Sequence, residues 1–206
     1  MIRLPRRKFW SVLVLAALIA APALAAAQSA SATQGPILFA GSSTIELWNL
    51  DESFPGLKTI NKGVGGSQFS DSLRWEDRDV IAYKPRIVVV YSGDNDIAAG
   101  ATPQEVAARF EQFAAKLHTA LPRTKLVVIS VKPSILRWAL VDKMRQANTL
   151  IKAYAGKQDY IDYVDIDPLM LGSDGKPRRE LYVSDGLHLT PEGYKIWNAA
   201  VLPHLK

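Results

Sequence analysis

A serine, a histidine and an aspartate are the residues of this chain best suited to chemistry. Ser43 follows a short apolar run, and Asp185 stands three residues before His188. A serine hydroxyl is a poor nucleophile at neutral pH and needs a neighbouring base. A carboxylate facing the imidazole can fix its tautomer and stabilise the imidazolium that forms. These residues predict attack by Ser43 on a carbonyl carbon, with His188 as the base and Asp185 as the group that orients it.

Attack on a carbonyl produces an oxyanion, and three groups of the chain are candidates to stabilise it. They are the backbone N–H groups of Ser43 and Gly66 and the side-chain amide of Asn95. One such donor is typically worth about 10²–10³ in rate. Glycine suits position 66 because a backbone N–H can approach a ligand closely where no Cβ intrudes.

The elements that must position these residues alternate along the chain. Continuous β-branched runs indicate strands covered on both faces, and strand–helix alternation predicts a parallel sheet. We therefore expect a three-layer αβα sandwich around about five parallel strands, with the candidate residues at the edge where the strands end. The predicted strands are residues 37–40, 58–62, 86–91, 125–131 and 161–166, and the predicted helices are residues 103–121, 140–155 and 191–202.

Four sequence blocks resemble those of the SGNH hydrolases, also called the GDSL esterase family. The resemblance spans roughly residues 36–204 and implies a flavodoxin-like fold. It also implies Ser43 as nucleophile, Asp185 and His188 as the acid–base pair, Gly66 and Asn95 as oxyanion donors, and no cofactor. The implied substrates are small esters with short acyl, aryl, lysophospholipid or O-acetyl groups. The blocks are Gly41-Ser42-Ser43-Thr44, Asn61-Lys62-Gly63-Val64-Gly65-Gly66, Gly93-Asp94-Asn95-Asp96 and Asp185-Gly186-Leu187-His188.

Two positions depart from the usual pattern of that family. Ser42 stands where aspartate is usual, and Asp94 stands where glycine is more usual. Ser42 raises the question of which serine is the nucleophile, and the strand-to-helix position favours Ser43. The segment 132–138 follows the fourth predicted strand, so Arg137 and Trp138 are predicted to line the substrate pocket. The alternative for Trp138 is packing under a loop.

Other interpretations of these residues stay open at this point. Ser43 could cap a helix, and Asp185 with His188 could be a surface pair, in a non-catalytic ligand-binding protein of the same fold. Asp94 and Asp96 could bind the metal of a phosphoesterase. Within the enzyme class, the chain could be an acetyl esterase that acts on polysaccharide.

Composition removes several classes of site. The chain of 206 residues has no cysteine, which excludes disulfides, thiolate zinc sites and a cysteine nucleophile. It has three histidines, which is a thin supply for a metal hydrolase, so we predict neither metal nor cofactor. The sequence has no basic stripe, so we do not predict nucleic acid as a partner. The oligomeric state is left open.

The N-terminus has the layout of a cleaved export signal. Basic residues precede an apolar run at residues 9–25, and small residues follow it. We predict a signal peptide at residues 1–27, a linker at 28–35 and a single domain at 36–206, in the periplasm or secreted, with no membrane span after cleavage. Two adjacent arginines leave the choice between the general and the twin-arginine route open. Cleavage removes four positive charges, so the formal charge falls from +5 to +1.

Overall fold

The structure is a computed structural model, and it describes residues 35–206. The predicted signal peptide and residues 28–34 of the predicted linker lie outside the described residues, and the domain boundaries stay predictions. Across residues 35–206, no helix combines the length and the apolar character needed to cross a membrane.

A sheet of five parallel strands organises the described residues, as predicted. The strands lie in the order β2-β1-β3-β4-β5. This is the flavodoxin-like order, in which the chain changes its winding direction between β1 and β3, and ligands bind at the carboxyl ends of the strands at such a point. The strands are β1 (Ile37–Gly41), β2 (Thr59–Gly63), β3 (Ile87–Tyr91), β4 (Lys125–Ile129) and β5 (Ile161–Val164).

Helices cover both faces of this sheet and complete the predicted αβα sandwich. One hydrophobic cluster joins the sheet to α3, α5 and α6, and a second joins its other face to α1, α2 and α7. The three predicted helices, at residues 103–121, 140–155 and 191–202, are present as α5, α6 and α7, with ends that agree to within one residue, whereas the other four helices were not predicted. The helices are α1 (Ser43–Glu46), α2 (Leu50–Ser53), α3 (Phe69–Asp79), α4 (Asp94–Ala98), α5 (Pro103–Ala120), α6 (Val141–Ala155) and α7 (Pro191–Val201).

Strand β3 shows why a parallel sheet forms from this sequence. All five of its residues are buried, at 0–2% exposure. Val88 and Val90 belong to the cluster on one face, whereas Ile87, Val89 and Tyr91 belong to the cluster on the other. Successive side chains of a strand point to opposite faces, so an unbroken apolar run fits a strand covered on both sides.

Helix α3 is an element that the sequence patterns did not predict. Its inward-facing residues are Phe69, Ser72 and Glu76, and only the first of these is apolar. The Glu76 side chain is fully buried, and neither of its oxygens has a hydrogen-bond partner among the described residues. Burial raises the pKa of Glu76 to about 8, although nearby Lys116 opposes the shift. The carboxyl group is therefore protonated at neutral pH in the folded protein.

We expect this buried carboxyl to make stability fall with rising pH. Between 4.5, its ordinary pKa, and about 8, the folded state holds a proton that the unfolded chain has released. The free energy of unfolding then decreases by up to about 1.4 kcal/mol per pH unit. Glu76→Gln keeps the shape but cannot ionise, so urea unfolding of the variant should depend less on pH between 5 and 8. Equal pH dependence of variant and wild type would contradict this, and Glu52→Gln at an exposed position is the control.

Candidate active site

Ser43 is placed by a sharp turn at the end of β1. Gly41 has φ 140°, and a Cβ at this position would lie 1.8 Å from the carbonyl oxygen of Tyr91 in β3. Only glycine lets the chain pass this close to the neighbouring strand in that conformation. The Ser42 N–H then donates to the Tyr91 carbonyl over 3.1 Å, and α1 begins at Ser43. The first N–H groups of a helix have no partner within it, so the Ser43 N–H is available to a ligand.

The three residues first singled out in the sequence lie in one line of contacts. Ser43 Oγ is 2.9 Å from His188 Nε2. His188 Nδ1 is 2.6 Å from Asp185 Oδ2. Ser42 is 1% exposed and has no contact of this kind with His188 among the described residues. Of the two adjacent serines, Ser43 is therefore the one that reaches the imidazole.

Asp185 builds the turn that carries His188 as well as contacting its ring. Asp185 Oδ1 accepts hydrogen bonds from the backbone N–H groups of Leu187 at 2.8 Å and of His188 at 3.0 Å. Partial burial raises the pKa of Asp185, but these bonds and the imidazole outweigh it and lower the pKa to about 2. Asp185 is thus a carboxylate at neutral pH, with one oxygen on the backbone and the other on the ring.

Backbone contacts anchor this turn to the rest of the site. The Val183 N–H donates to the His188 carbonyl over 2.9 Å and closes the turn. The Leu136 N–H, in the loop after β4, donates to the Gly186 carbonyl over 3.0 Å. The imidazole is therefore held against the carboxyl edge of the sheet by a loop from a distant part of the chain.

Gly66 and Asn95 are joined through Ser67. The Asn95 amide nitrogen donates to the Ser67 carbonyl over 2.9 Å, and Ser67 Oγ donates to the Gly41 carbonyl over 3.1 Å, next to the Ser43 turn. Among the described residues, the Gly66 N–H has no backbone acceptor. Glycine is favoured at 66 for a second reason, because its φ of 74° is a left-handed conformation that other residues rarely adopt. The predicted close approach of a ligand to its N–H stays a prediction.

A buried lysine beneath these residues was missed as a site residue in the sequence. Lys132 is 1% exposed, and its Nζ lies 3.0 Å from Thr44 Oγ1, 3.0 Å from the Tyr91 hydroxyl and 3.3 Å from Asp94 Oδ2. Burial lowers the pKa of Lys132, and the Asp94 carboxylate opposes this shift. Asp94 itself is buried, yet Lys132 and Arg137 hold its pKa below the ordinary value. The sequence offered one signal for Lys132 as a site residue, which was the position of a charged side chain directly after the predicted strand 125–131.

Arg137 and Trp138, the predicted pocket residues, have defined partners within the protein. Arg137 Nη2 donates to Asn95 Oδ1 over 2.8 Å, and Arg137 Nη1 lies 3.0 Å from Asp94 Oδ2. The guanidinium of Arg145 lies 5.7 Å from the centre of the Trp138 ring. Contact of either residue with substrate stays a prediction.

The two aspartates considered as metal ligands face different cations. Asp94 pairs with Lys132 and Arg137, as described above. Asp96 is fully buried, accepts from Arg109 Nη1 over 2.8 Å and accepts from the Phe69 N–H over 3.1 Å. Across residues 35–206, no cluster of three or more histidine, aspartate or glutamate side chains is arranged to hold a metal ion. Both carboxylates therefore have structural partners that account for their burial.

Comparison with known proteins agrees with this geometry. Residues 31–196 match the sequence profile of the GDSL-like lipase/acylhydrolase family. The chain belongs to this family. The predicted resemblance is thereby confirmed, and so is the enzyme class, because members of the GDSL family are carboxylic ester hydrolases.

One curated relative and two solved structures are also similar to this chain. The platelet-activating factor acetylhydrolase IB subunit alpha1 of Homo sapiens is 29% identical in an alignment of length 171 that covers 77% of this chain and 70% of that protein. A GDSL-like lipase from Bacteroides thetaiotaomicron superposes with a TM-score of 0.70 at 24% identity, over 89% of this chain and 96% of the other. An acetylxylan esterase from Geobacillus stearothermophilus superposes with a TM-score of 0.68 at 18% identity, over 82% and 93% of the two chains. These two structures share the GDSL-family fold.

Proposed function

We propose that this GDSL-family hydrolase cleaves short-chain carboxylic esters through an acyl group carried on Ser43. The observation that carries the proposal is the unbroken line from Asp185 to His188 to Ser43, with contacts of 2.6 and 2.9 Å. A hydroxyl and an imidazole at this separation are within reach for proton transfer. A serine that only capped a helix would need no histidine and carboxylate behind it.

The first half of the reaction forms the acyl-enzyme. His188 Nε2 takes the proton of Ser43 Oγ as this oxygen bonds to the ester carbonyl carbon, and the carbonyl electron pair moves to its oxygen. The backbone N–H groups of Ser43 and Gly66 and the side-chain amide of Asn95 stabilise the resulting oxyanion. Asp185 stabilises the imidazolium. When the carbonyl re-forms, the bond to the alcohol oxygen breaks, and the alcohol leaves with the proton from His188.

The second half of the reaction releases the acid. Water attacks the acyl carbon as His188 Nε2 takes one of its protons, and the same donors stabilise the second oxyanion. The bond between Ser43 Oγ and the acyl carbon then breaks, and Ser43 regains its proton from His188. The products are an alcohol and a carboxylic acid, and the protein returns to its starting state without a cofactor.

Exposed aliphatic side chains around these loops support an ester with an apolar portion. We call four of them the apolar rim. Each belongs to a segment that holds a candidate residue. Leu47 is the C-cap of α1, and Val64 lies two residues before Gly66. The backbone N–H of Leu136 donates to the Gly186 carbonyl, and that of Val183 donates to the His188 carbonyl. Such side chains can contact the apolar group of a bound ester. The apolar rim consists of Leu47, Val64, Leu136 and Val183, with exposures of 56%, 42%, 62% and 39%.

A short acyl group is the more specific part of the proposal. The relative from Homo sapiens carries the name of an acetylhydrolase, and it shares 29% identity with this chain. Acetyl or butyryl esters of apolar alcohols would combine a small acyl group with contact to the apolar rim.

A series of p-nitrophenyl esters tests the acyl preference. We expect kcat/KM to be highest for the acetate and butyrate and to fall by about tenfold or more for the octanoate, because a pocket that fits a short acyl group would exclude the added methylenes. A preference for the octanoate would contradict the short-chain proposal. Faster release of acetate from acetylated xylan than from p-nitrophenyl acetate would instead favour a polysaccharide substrate.

We also propose that the enzyme acts outside the cytoplasm. Support comes from the basic residues ahead of an apolar run at residues 9–25, followed by small residues. The substrate would then be an ester available in the periplasm or in the medium.

A further inference from the structure

The side-chain amide of Asn95 can face an oxyanion in two orientations, and only one of them stabilises the negative charge. An asparagine presents an NH₂ group that donates or a carbonyl oxygen that repels a negative charge. In this protein the amide is held from both ends. Asn95 Oδ1 accepts from Arg137 Nη2 at 2.8 Å, and Asn95 Nδ2 donates to the Ser67 carbonyl at 2.9 Å. One N–H of the amide is left for a ligand.

Reversing the amide would lose both of these contacts. A guanidinium has donors only, so it cannot accept from the NH₂ group that a reversed Asn95 would present to Arg137. The Asn95 carbonyl oxygen would at the same time face the Ser67 carbonyl oxygen. Arg137 and the Ser67 carbonyl therefore fix the orientation of the amide together, because the guanidinium accepts no hydrogen bond and the carbonyl donates none.

Arg137 is itself fixed by a buried ion pair. Its Nη1 lies 3.0 Å from Asp94 Oδ2, and its side chain is 16% exposed. The Asp94 side chain is 5% exposed and also pairs with Lys132, which is 1% exposed. Paired charges at this depth are costly to separate, because each partner would be left buried and uncompensated.

The buried lysine also joins the two turns that carry the candidate catalytic groups. Its three ammonium hydrogens match three acceptors, of which Thr44 directly follows Ser43 and Asp94 directly precedes Asn95. Lys132 thus ties the turn after β1 to the turn after β3, and Arg137 extends this network to the Asn95 amide.

We propose that Arg137 is a positioning residue that aims the Asn95 N–H at the oxyanion, held in place by the buried Asp94–Lys132 pair. The inference rests on the proposed function, since it assigns Arg137 a task in the reaction of Ser43. Arg137 acts through Asn95 rather than by lining the pocket. Its loss lowers kcat and leaves KM nearly unchanged, because the interaction concerned is made in the transition state.

A double-mutant cycle on p-nitrophenyl acetate tests this role. We expect Asn95→Ala to lower kcat by about 10²–10³, because one oxyanion donor is removed. Arg137→Ala should lower kcat by about 10–10², because the Asn95 N–H would then point at the oxyanion for only part of the time. The double variant should be no slower than Asn95→Ala alone, because Arg137 has nothing left to orient. Additive losses, or a rise in KM as the main effect, would overturn the proposal in favour of direct contact between Arg137 and substrate.

Two further variants separate positioning from a general loss of structure. Arg137→Lys keeps the charge but lacks the planar fork that spans Asp94 and Asn95, so its kcat should fall although its thermal unfolding temperature stays close to that of wild type. Guanidinium added to Arg137→Ala should restore part of kcat. Arg86→Ala is the matched control, because Arg86 precedes β3 at the amino end of the sheet, where its Nη2 donates to the Leu205 carbonyl over 2.9 Å, and its kcat should not change.

Labelling by a fluorophosphonate distinguishes the failure of this inference from the failure of the proposed function. Wild type that is not labelled at Ser43 removes the acyl-enzyme mechanism and the role of Arg137 with it. Wild type that is labelled at Ser43, together with full kcat in Arg137→Ala or no rescue by guanidinium, removes only the role of Arg137.

Discussion

Ser43→Ala should lower kcat/KM for p-nitrophenyl acetate by about 10⁴-fold or more, the largest effect expected of any single substitution in this chain. The hydroxyl is the group that would form the covalent bond to the acyl carbon, and no neighbouring side chain can replace it. Ser42 is 1% exposed and is the matched control one position earlier. Ser42→Ala should keep kcat/KM within about threefold of wild type, because Ser42 does not touch the imidazole.

A fluorophosphonate measures the same difference by covalent capture. Wild type and Ser42→Ala should be labelled at Ser43, located by mass spectrometry of the peptide, and Ser43→Ala should not be labelled. Equal labelling of Ser43→Ala would remove this serine from the mechanism. An absence of labelling and of hydrolysis in wild type would favour the alternative of a ligand-binding protein on this fold.

Asp185→Asn should lower kcat by about 10³–10⁴, the second largest effect. The amide oxygen can still accept from the backbone N–H groups of Leu187 and His188, which keeps the turn and directs the new NH₂ group at His188 Nδ1. A donor at that place requires Nδ1 to accept, so the ring carries its proton on Nε2. That nitrogen then cannot take the proton of Ser43.

The pH dependence of Asp185→Asn checks the tautomer explanation. Partial burial raises the pKa of Asp185, but its hydrogen bonds lower it to about 2, so the wild-type carboxylate stays charged from pH 5 to 9. The deficit of the variant should therefore persist over this whole range. Asp174→Asn is the control, because Asp174 accepts from the Lys176 N–H in a separate turn at 3.0 Å. A loss below tenfold in Asp185→Asn would contradict an orienting role for the carboxylate.

The sheet was predictable from sequence because its strands follow a local pattern. Apolar runs such as that of β3 occur only where both faces are covered, and their spacing left room for the helices between them. Helix α3 was missed because its buried face contains Ser72 and Glu76 instead of an apolar stripe. Helix periodicity in a sequence is recognised from apolar residues, so a helix that buries a protonated carboxyl group does not show it.

The candidate site was predictable in part for a related reason. Ser43 and Asn95 lie two and four residues after the ends of β1 and β3, and parallel strands end at one edge, so local sequence predicted that both residues lie at this edge. The contact between Lys132 and Thr44 joins residues 88 positions apart and has no local signature. Lysine is also among the residues least often fully buried, so composition argued for solvent exposure. The left-handed backbone conformation of Gly66 is a further reason for glycine there, and the sequence does not display it.

The apolar rim is formed by side chains, whereas backbone hydrogen bonds and buried charges hold the turns of the candidate site, and this division has a consequence for how the enzyme can diversify. Leu47 and Leu136 are 56% and 62% exposed, and surface side chains of this kind can be exchanged at a cost of about 0.5 kcal/mol or less. The reacting groups belong to turns fixed by the sheet and by buried charges, which such exchanges do not touch. Under the proposed contact between the apolar rim and the ester, a lineage can therefore acquire new substrates by exchanging these exposed side chains, while the turns of the candidate site stay unchanged.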